Sequence, residues 1–184
     1  MLLTTKKTIN SKYILITAIA VVVSWVLHEF AHWTTGTLLG YEMGMTFNKA
    51  FPVSGKYNSD WHYQVISAAG PVFTLVEAFV VFLITQRKKP ILLYPFLFTC
   101  FYMRLFAAVI TIRNPNDEAR ISKSIGLGTY TLPVIIVAIL AFLVYKISVK
   151  YQFSRKFNLI NLGLVIFFSS VIILTDQYFH PRLL

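Results

Sequence analysis

One cysteine in 184 residues leaves no disulfide framework and no cysteine-based metal site; Cys100 lies in an apolar run, as a small core residue does. Charge is scarce too. Asp, Glu, Lys and Arg make up 13% of the chain, where a soluble domain carries about a quarter. Internal repeats, low-complexity linkers and a PDZ-like or other soluble module are also missing, so a single integral-membrane domain over residues 1–184 is expected. Hydrophobic residues reach 57%, aromatics 16% and mean hydropathy +0.66, which places the chain in a membrane.

The net charge of +10 does not point to nucleic acid. Basic residues fall in short clusters between apolar runs (Lys6-Lys7, Arg87-Lys88-Lys89, Arg155-Lys156), the pattern of topology determinants at a membrane surface. The apolar runs cover about residues 13–39, 65–85, 91–112, 130–149 and 159–175, each near the roughly 20 residues that cross a bilayer. Tyr and Trp gather at several ends, among them Trp61, Tyr63, Tyr130, Tyr145, Tyr151 and Tyr178, as interfacial belts require. The expected fold is an all-α polytopic membrane protein with about five transmembrane helices. Residues 41–55 mix Gly, Thr, Phe, Asn and Pro and read as a short β-hairpin or irregular loop after the first helix.

Ten basic residues fall on the side of the N-terminus (Lys6, Lys7, Lys12, Arg87, Lys88, Lys89, Lys146, Lys150, Arg155, Lys156). Six fall opposite (Lys49, Lys56, Arg113, Arg120, Lys123, Arg182), diluted by acids. That bias favours a cytoplasmic N-terminus. Whichever side is cytoplasmic, the end of the first helix, the start of the second and the end of the third share one face of the membrane.

Those three places hold the chemistry. His28-Glu29-Phe30-Ala31-His32 is an H-E-x-x-H pentad inside the first apolar run, so a cleaved signal peptide there is not expected. With only four His and four Glu in the chain, chance gives such a match roughly once in five hundred sequences of this composition. Four residues of helix turn through about 400°, so both imidazoles share a face, offset by roughly 6 Å of rise. Two nitrogen ligands on one zinc need that spacing. Glu29 stands one position round, within reach of a water to deprotonate. An ionisable trio in a membrane helix is costly unless paired or metal-bound.

A zincin needs a third protein ligand and an open fourth position. The third run ends in Arg113-Asn114-Pro115-Asn116-Asp117-Glu118, on the pentad's side; Asp117 is the expected ligand and Glu118 its rival. If the first helix leaves the bilayer near residue 39, His28 and His32 lie about 16 and 10 Å below that end. The 114–118 segment must then dip to the same depth. The plainer reading of the segment is a solvated turn, with Asn116 or Asp117 capping a helix to about Ile125. Ala68-Ala69-Gly70-Pro71 is expected to open the second helix and let another helix approach closely. Glu77 and Arg104, the other intramembrane charges, are expected to pair with each other. His62 and His180 read as interfacial, with His62 near enough to line the mouth of the site.

The pentad on a first apolar helix, the following Ala-Ala-Gly-Pro and the later Asp together resemble the site-2 protease family of intramembrane zinc metallopeptidases. The resemblance covers about residues 20–125. It implies a catalytic core within about 13–125, with helices at about 130–175 added, Zn²⁺ on His28, His32 and Asp117, and Glu29 as general base. It further implies a transmembrane protein substrate cut within the lipid bilayer, here expected to be a bacterial-type cytoplasmic membrane. An unwound substrate would add as an edge strand to a β-element near residues 43–50. Two features depart from the family pattern: the 114–118 segment is compressed, without Gly after the Asp, and Thr74 stands where the family places an Asn after Gly-Pro. The family typically faces its zinc towards the cytosol, opposite to the charge count. A non-catalytic metal-binding membrane protein, or a pseudo-protease that binds transmembrane segments without cutting, is the alternative.

Overall fold

The computed structural model describes residues 9–87 and 91–184. The basic residues Lys6, Lys7, Lys88 and Lys89 lie outside them. Helix α1 (Ser11–Leu38) begins where the Asn10 side chain accepts the Tyr13 N–H at 3.0 Å, a cap that satisfies one orphan donor. It stops at Gly40, whose φ of +87° reverses the chain in a conformation that costs glycine nothing. Strands β1 (Met43–Met45) and β2 (Ala50–Pro52) form the hairpin, antiparallel, with Gly44 opposite Phe51.

Helix α2 (Asp60–Arg87) follows, with Asp60 in its first turn where the helix dipole favours a negative charge. It starts about five residues before the apolar run does, because Trp61, His62 and Tyr63 carry it out through the interface. Ala68-Ala69-Gly70-Pro71 therefore lies inside α2 and does not open it. A single 3-10 turn (Ile91–Leu93) leads into α3 (Tyr94–Ile110), which has Pro95 in its first turn. Then come α4 (Asp117–Ser124), α5 (Thr131–Lys150) and α6 (Arg155–Phe179). Asn116 caps α4 by accepting the Ala119 N–H at 2.8 Å.

Among the described residues, five helices are long and apolar enough to cross a membrane: α1, α2, the 3-10 turn with α3, α5 and α6. The chain is a multi-pass, all-helical membrane protein with one small two-stranded sheet. Helix α1 is central, packing on α2, α3 and α6, while α3 also packs on α5. Tyr13, Val21, Leu97, Met103, Leu140 and Ile147 fill the core between them. Outward faces are apolar as well, which suits lipid and not water.

The hairpin is tied down at both ends. Its turn is held by Asp176 at the end of α6, which accepts from Thr46 Oγ1 at 3.0 Å and from the Phe47 N–H at 2.8 Å. Its outer edge is covered on one side, where the Met45 N–H donates to the Leu184 carbonyl at 3.1 Å and the Leu183 N–H to Met45 at 2.8 Å. Bonds from the Thr46 N–H to Lys49 and from the Val53 N–H to Glu42 set the alternation. By it, the N–H and C=O of Ala50 point away from β1.

Candidate metal centre

His28 and His32 project from one face of α1 and are 3% and 7% exposed. Asp117, in the first turn of α4, meets them: its Oδ2 lies 3.5 Å from His28 Nε2 and 3.3 Å from His32 Nε2. The two Nε2 atoms are 3.1 Å apart. A tetrahedral ion with bonds of about 2.0–2.1 Å has donor–donor edges of roughly 3.3–3.4 Å. The three edges observed bracket that length, so these atoms form one face of such a tetrahedron.

The outer nitrogens fix which atoms face inward. His32 Nδ1 lies 2.6 Å from the Ile66 carbonyl, which can only accept, so Nδ1 carries the proton. His28 Nδ1 lies 3.0 Å from Thr74 Oγ1. The Thr74 hydroxyl proton goes to the Gly70 carbonyl at 3.0 Å, so the hydroxyl oxygen accepts from His28. Both Nε2 atoms thus present lone pairs to each other and to a carboxylate. Three Lewis-basic atoms meeting without a proton between them call for a cation. Arg104 supplies only part of one, with Nη2 at 3.4 Å from His28 Nε2 and Nη1 at 4.0 Å from Asp117 Oδ2.

Gly70 completes the cradle. A Cβ placed there would fall inside contact distance of both Nε2 atoms, so the α2 backbone lies directly against the imidazole pair. The donor set, its spacing and this glycine together fit a divalent ion. His28, His32 and Asp117 are the group of metal-binding side chains that converge among the described residues.

Asp117 is held from behind. Its Oδ1 pairs with Arg120, whose guanidinium also donates to the Pro115 carbonyl at 3.0 Å and to Ser67 Oγ at 3.3 Å. Glu118, the rival ligand, turns the other way and pairs with Arg104 at 3.0 Å. The capping reading of this segment and its approach to the histidines are therefore compatible: Asn116 caps, and Asp117 reaches inward.

Glu29 is 7% exposed and lines, with His32 and Asp117, a cavity of about 490 Å³. Ala50, Phe51 and Pro52 of β2 form one wall, and Tyr57, Tyr63 and Arg120 another. The Ala50 N–H interacts with the Glu29 carboxylate. Burial pushes the Tyr57 phenol up to about 12, so it remains a hydrogen-bond donor.

Two expectations are corrected. Glu77 does not pair with Arg104: its Oε1 accepts from Ser24 Oγ at 2.6 Å, one turn of α1 below His28. Helix lengths placed both charges near mid-bilayer, but α4 returns to that depth and brings Glu118 to the arginine. His62 does not line the cavity; its Nδ1 meets Tyr41 Oη at 2.9 Å, and Tyr63 takes the lining place. Thr74 orients His28, a role that its position four residues after Gly70 hinted at without stating. Comparison with protein-family models, with curated proteins and with solved structures finds no match to this chain.

Proposed function

We propose that this chain is a zinc metallopeptidase of the site-2 protease type, cutting membrane-embedded protein segments in a bacterial-type cytoplasmic membrane. The observation that carries the reading is the Nε2–Nε2–Oδ2 face, with Glu29 lining the cavity onto which it opens. His28, His32 and Asp117 would hold a divalent cation, which when bound would supply Lewis acidity to acidify water and polarise a carbonyl oxygen.

The remaining work falls to the chain's own groups. Glu29 is the proton carrier: its carboxylate takes a proton from the attacking water and returns it to the departing amine. The Ala50 C=O, directed away from β1, offers an extended substrate a main-chain bond that demands little of its sequence. Arg120 stands in the cavity wall to receive negative charge developing on the substrate carbonyl. Thr74 and the Ile66 carbonyl hold both imidazoles in the tautomer that faces inward.

The test is Glu29→Gln in the purified full chain, with a model transmembrane segment as substrate. Cleavage should fall by about 10²–10⁴-fold, the contribution of general-base catalysis, while metal content stays at the wild-type stoichiometry. Metal lost together with activity would remove Glu29 from the proton-carrying role. Retained metal with no turnover by wild type would favour the non-catalytic, segment-binding alternative.

A further inference from the structure

Arg104 is a buried cation beside the centre to which the proposed reaction gives no task. It is 5% exposed on a membrane-spanning helix, where an arginine is expensive unless something requires it. Its guanidinium reaches three groups at once: Glu118 Oε1 at 3.0 Å, His28 Nε2 at 3.4 Å and, more loosely, Asp117 Oδ2 at 4.0 Å.

The short helix α4 explains why that matters. It has eight residues, and its first turn carries Asp117 and Glu118 side by side, pointing to different partners. The bond from Arg120 to Asp117 lies within α4 and moves with it, so it fixes a rotamer and not the helix. Arg104–Glu118 ties α4 to α3, and Arg120–Ser67 ties it to α2. Both are donated by a guanidinium, but the first joins two buried opposite charges, and it acts on the residue adjacent to Asp117.

We propose that Arg104 is a positioning residue for the third ligand: gripped by Glu118, it sets the rotation and depth of the first turn of α4, so that Asp117 Oδ2 meets the imidazole pair. The role rests on the metal reading above. It requires an arginine, because a planar fork fixes direction where an ammonium fixes only a point.

The probe is Co²⁺ titrated into the chelator-treated full chain in nanodiscs, read by its d–d absorption, which reports coordination geometry. The charge-neutral double variant Arg104→Met/Glu118→Met removes the pair without orphaning a buried ion, a change that helix bundles often tolerate. It should keep its thermal unfolding midpoint yet bind Co²⁺ about 10–100-fold more weakly, with an altered spectrum. Arg104→Lys, which keeps the charge and loses the fork, should weaken binding about tenfold. Wild-type affinity and spectrum in a folded double variant would overturn the proposal while leaving the metal reading intact. If the double variant does not fold, the same result in Arg104→Lys overturns it. Wild-type protein that takes up no Co²⁺ overturns the metal reading itself, and this role with it.

Discussion

The α1–α2 seam and the outer face of α5 are both membrane helix surfaces, built on opposite principles. Along the seam, successive turns of α1 meet α2 through polar contacts or through none at all. His32 bonds the Ile66 carbonyl, Gly70 lies bare against both imidazoles, Thr74 holds His28, and Ser24 donates to Glu77. The face of α5 turned away from the bundle carries Val134, Ile135, Ile139, Phe142 and Val149, all exposed and all apolar. A hydrogen bond or a missing Cβ fixes one residue at one place. An apolar surface against lipid accepts any residue of similar character. The seam therefore specifies position, and the α5 face specifies only that the helix stays in the membrane.

Gly70→Ala should break that distinction most severely. Alanine is the better helix former, yet its Cβ must displace both Nε2 atoms. Co²⁺ affinity should drop by more than about a hundredfold while helicity by circular dichroism is unchanged, since a supporting residue alone accounts for 10–100-fold. Thr74→Val comes next. It keeps the shape, strips His28 of its Nδ1 partner, and should weaken Co²⁺ binding by about 10–30-fold. Wild-type affinity in that variant would mean the hydroxyl does not orient the ring.

Asp176→Ala acts further from the centre, on the hairpin that walls the cavity. It removes the acceptor for Thr46 and Phe47. A several-fold rise in KM with unchanged Co²⁺ affinity is expected, and an equal fall in metal binding would refute the separation of the two roles. Phe142→Leu on the outer face of α5 is the control. Its effect on metal affinity should be less than about twofold, and on stability within about 0.5 kcal/mol, as for other surface changes.

The bundle was legible from residue order because hydropathy and helical period are local properties. Five apolar runs became five helices, and residues 41–55 became a hairpin, with ends shifted by a few residues where interfacial Trp and Tyr extend a helix past its apolar stretch. Spacing alone put His28 and His32 on one face, and connectivity alone put residues 114–118 on the same membrane side. The partner of Arg104 is not legible in the sequence for a related reason: Glu77 reaches Ser24, one turn of α1 away from the His28 that Arg104 faces. Counting residues along a span gives depth to within about a turn, and a turn is the difference between Glu77 and Glu118.

Chain order, then, specified a membrane bundle with two histidines in register and an acidic segment returning towards them, since each follows from period, hydropathy and loop length. Folding alone settled that Asp117 faces the imidazoles while Glu118 turns to Arg104, that Gly70 leaves room for the ring nitrogens, and that Thr74 and the Ile66 carbonyl choose their tautomer. These depend on how far each helix slides and rotates against its neighbour. Such angles arise from packing many side chains at once, and no single segment encodes them.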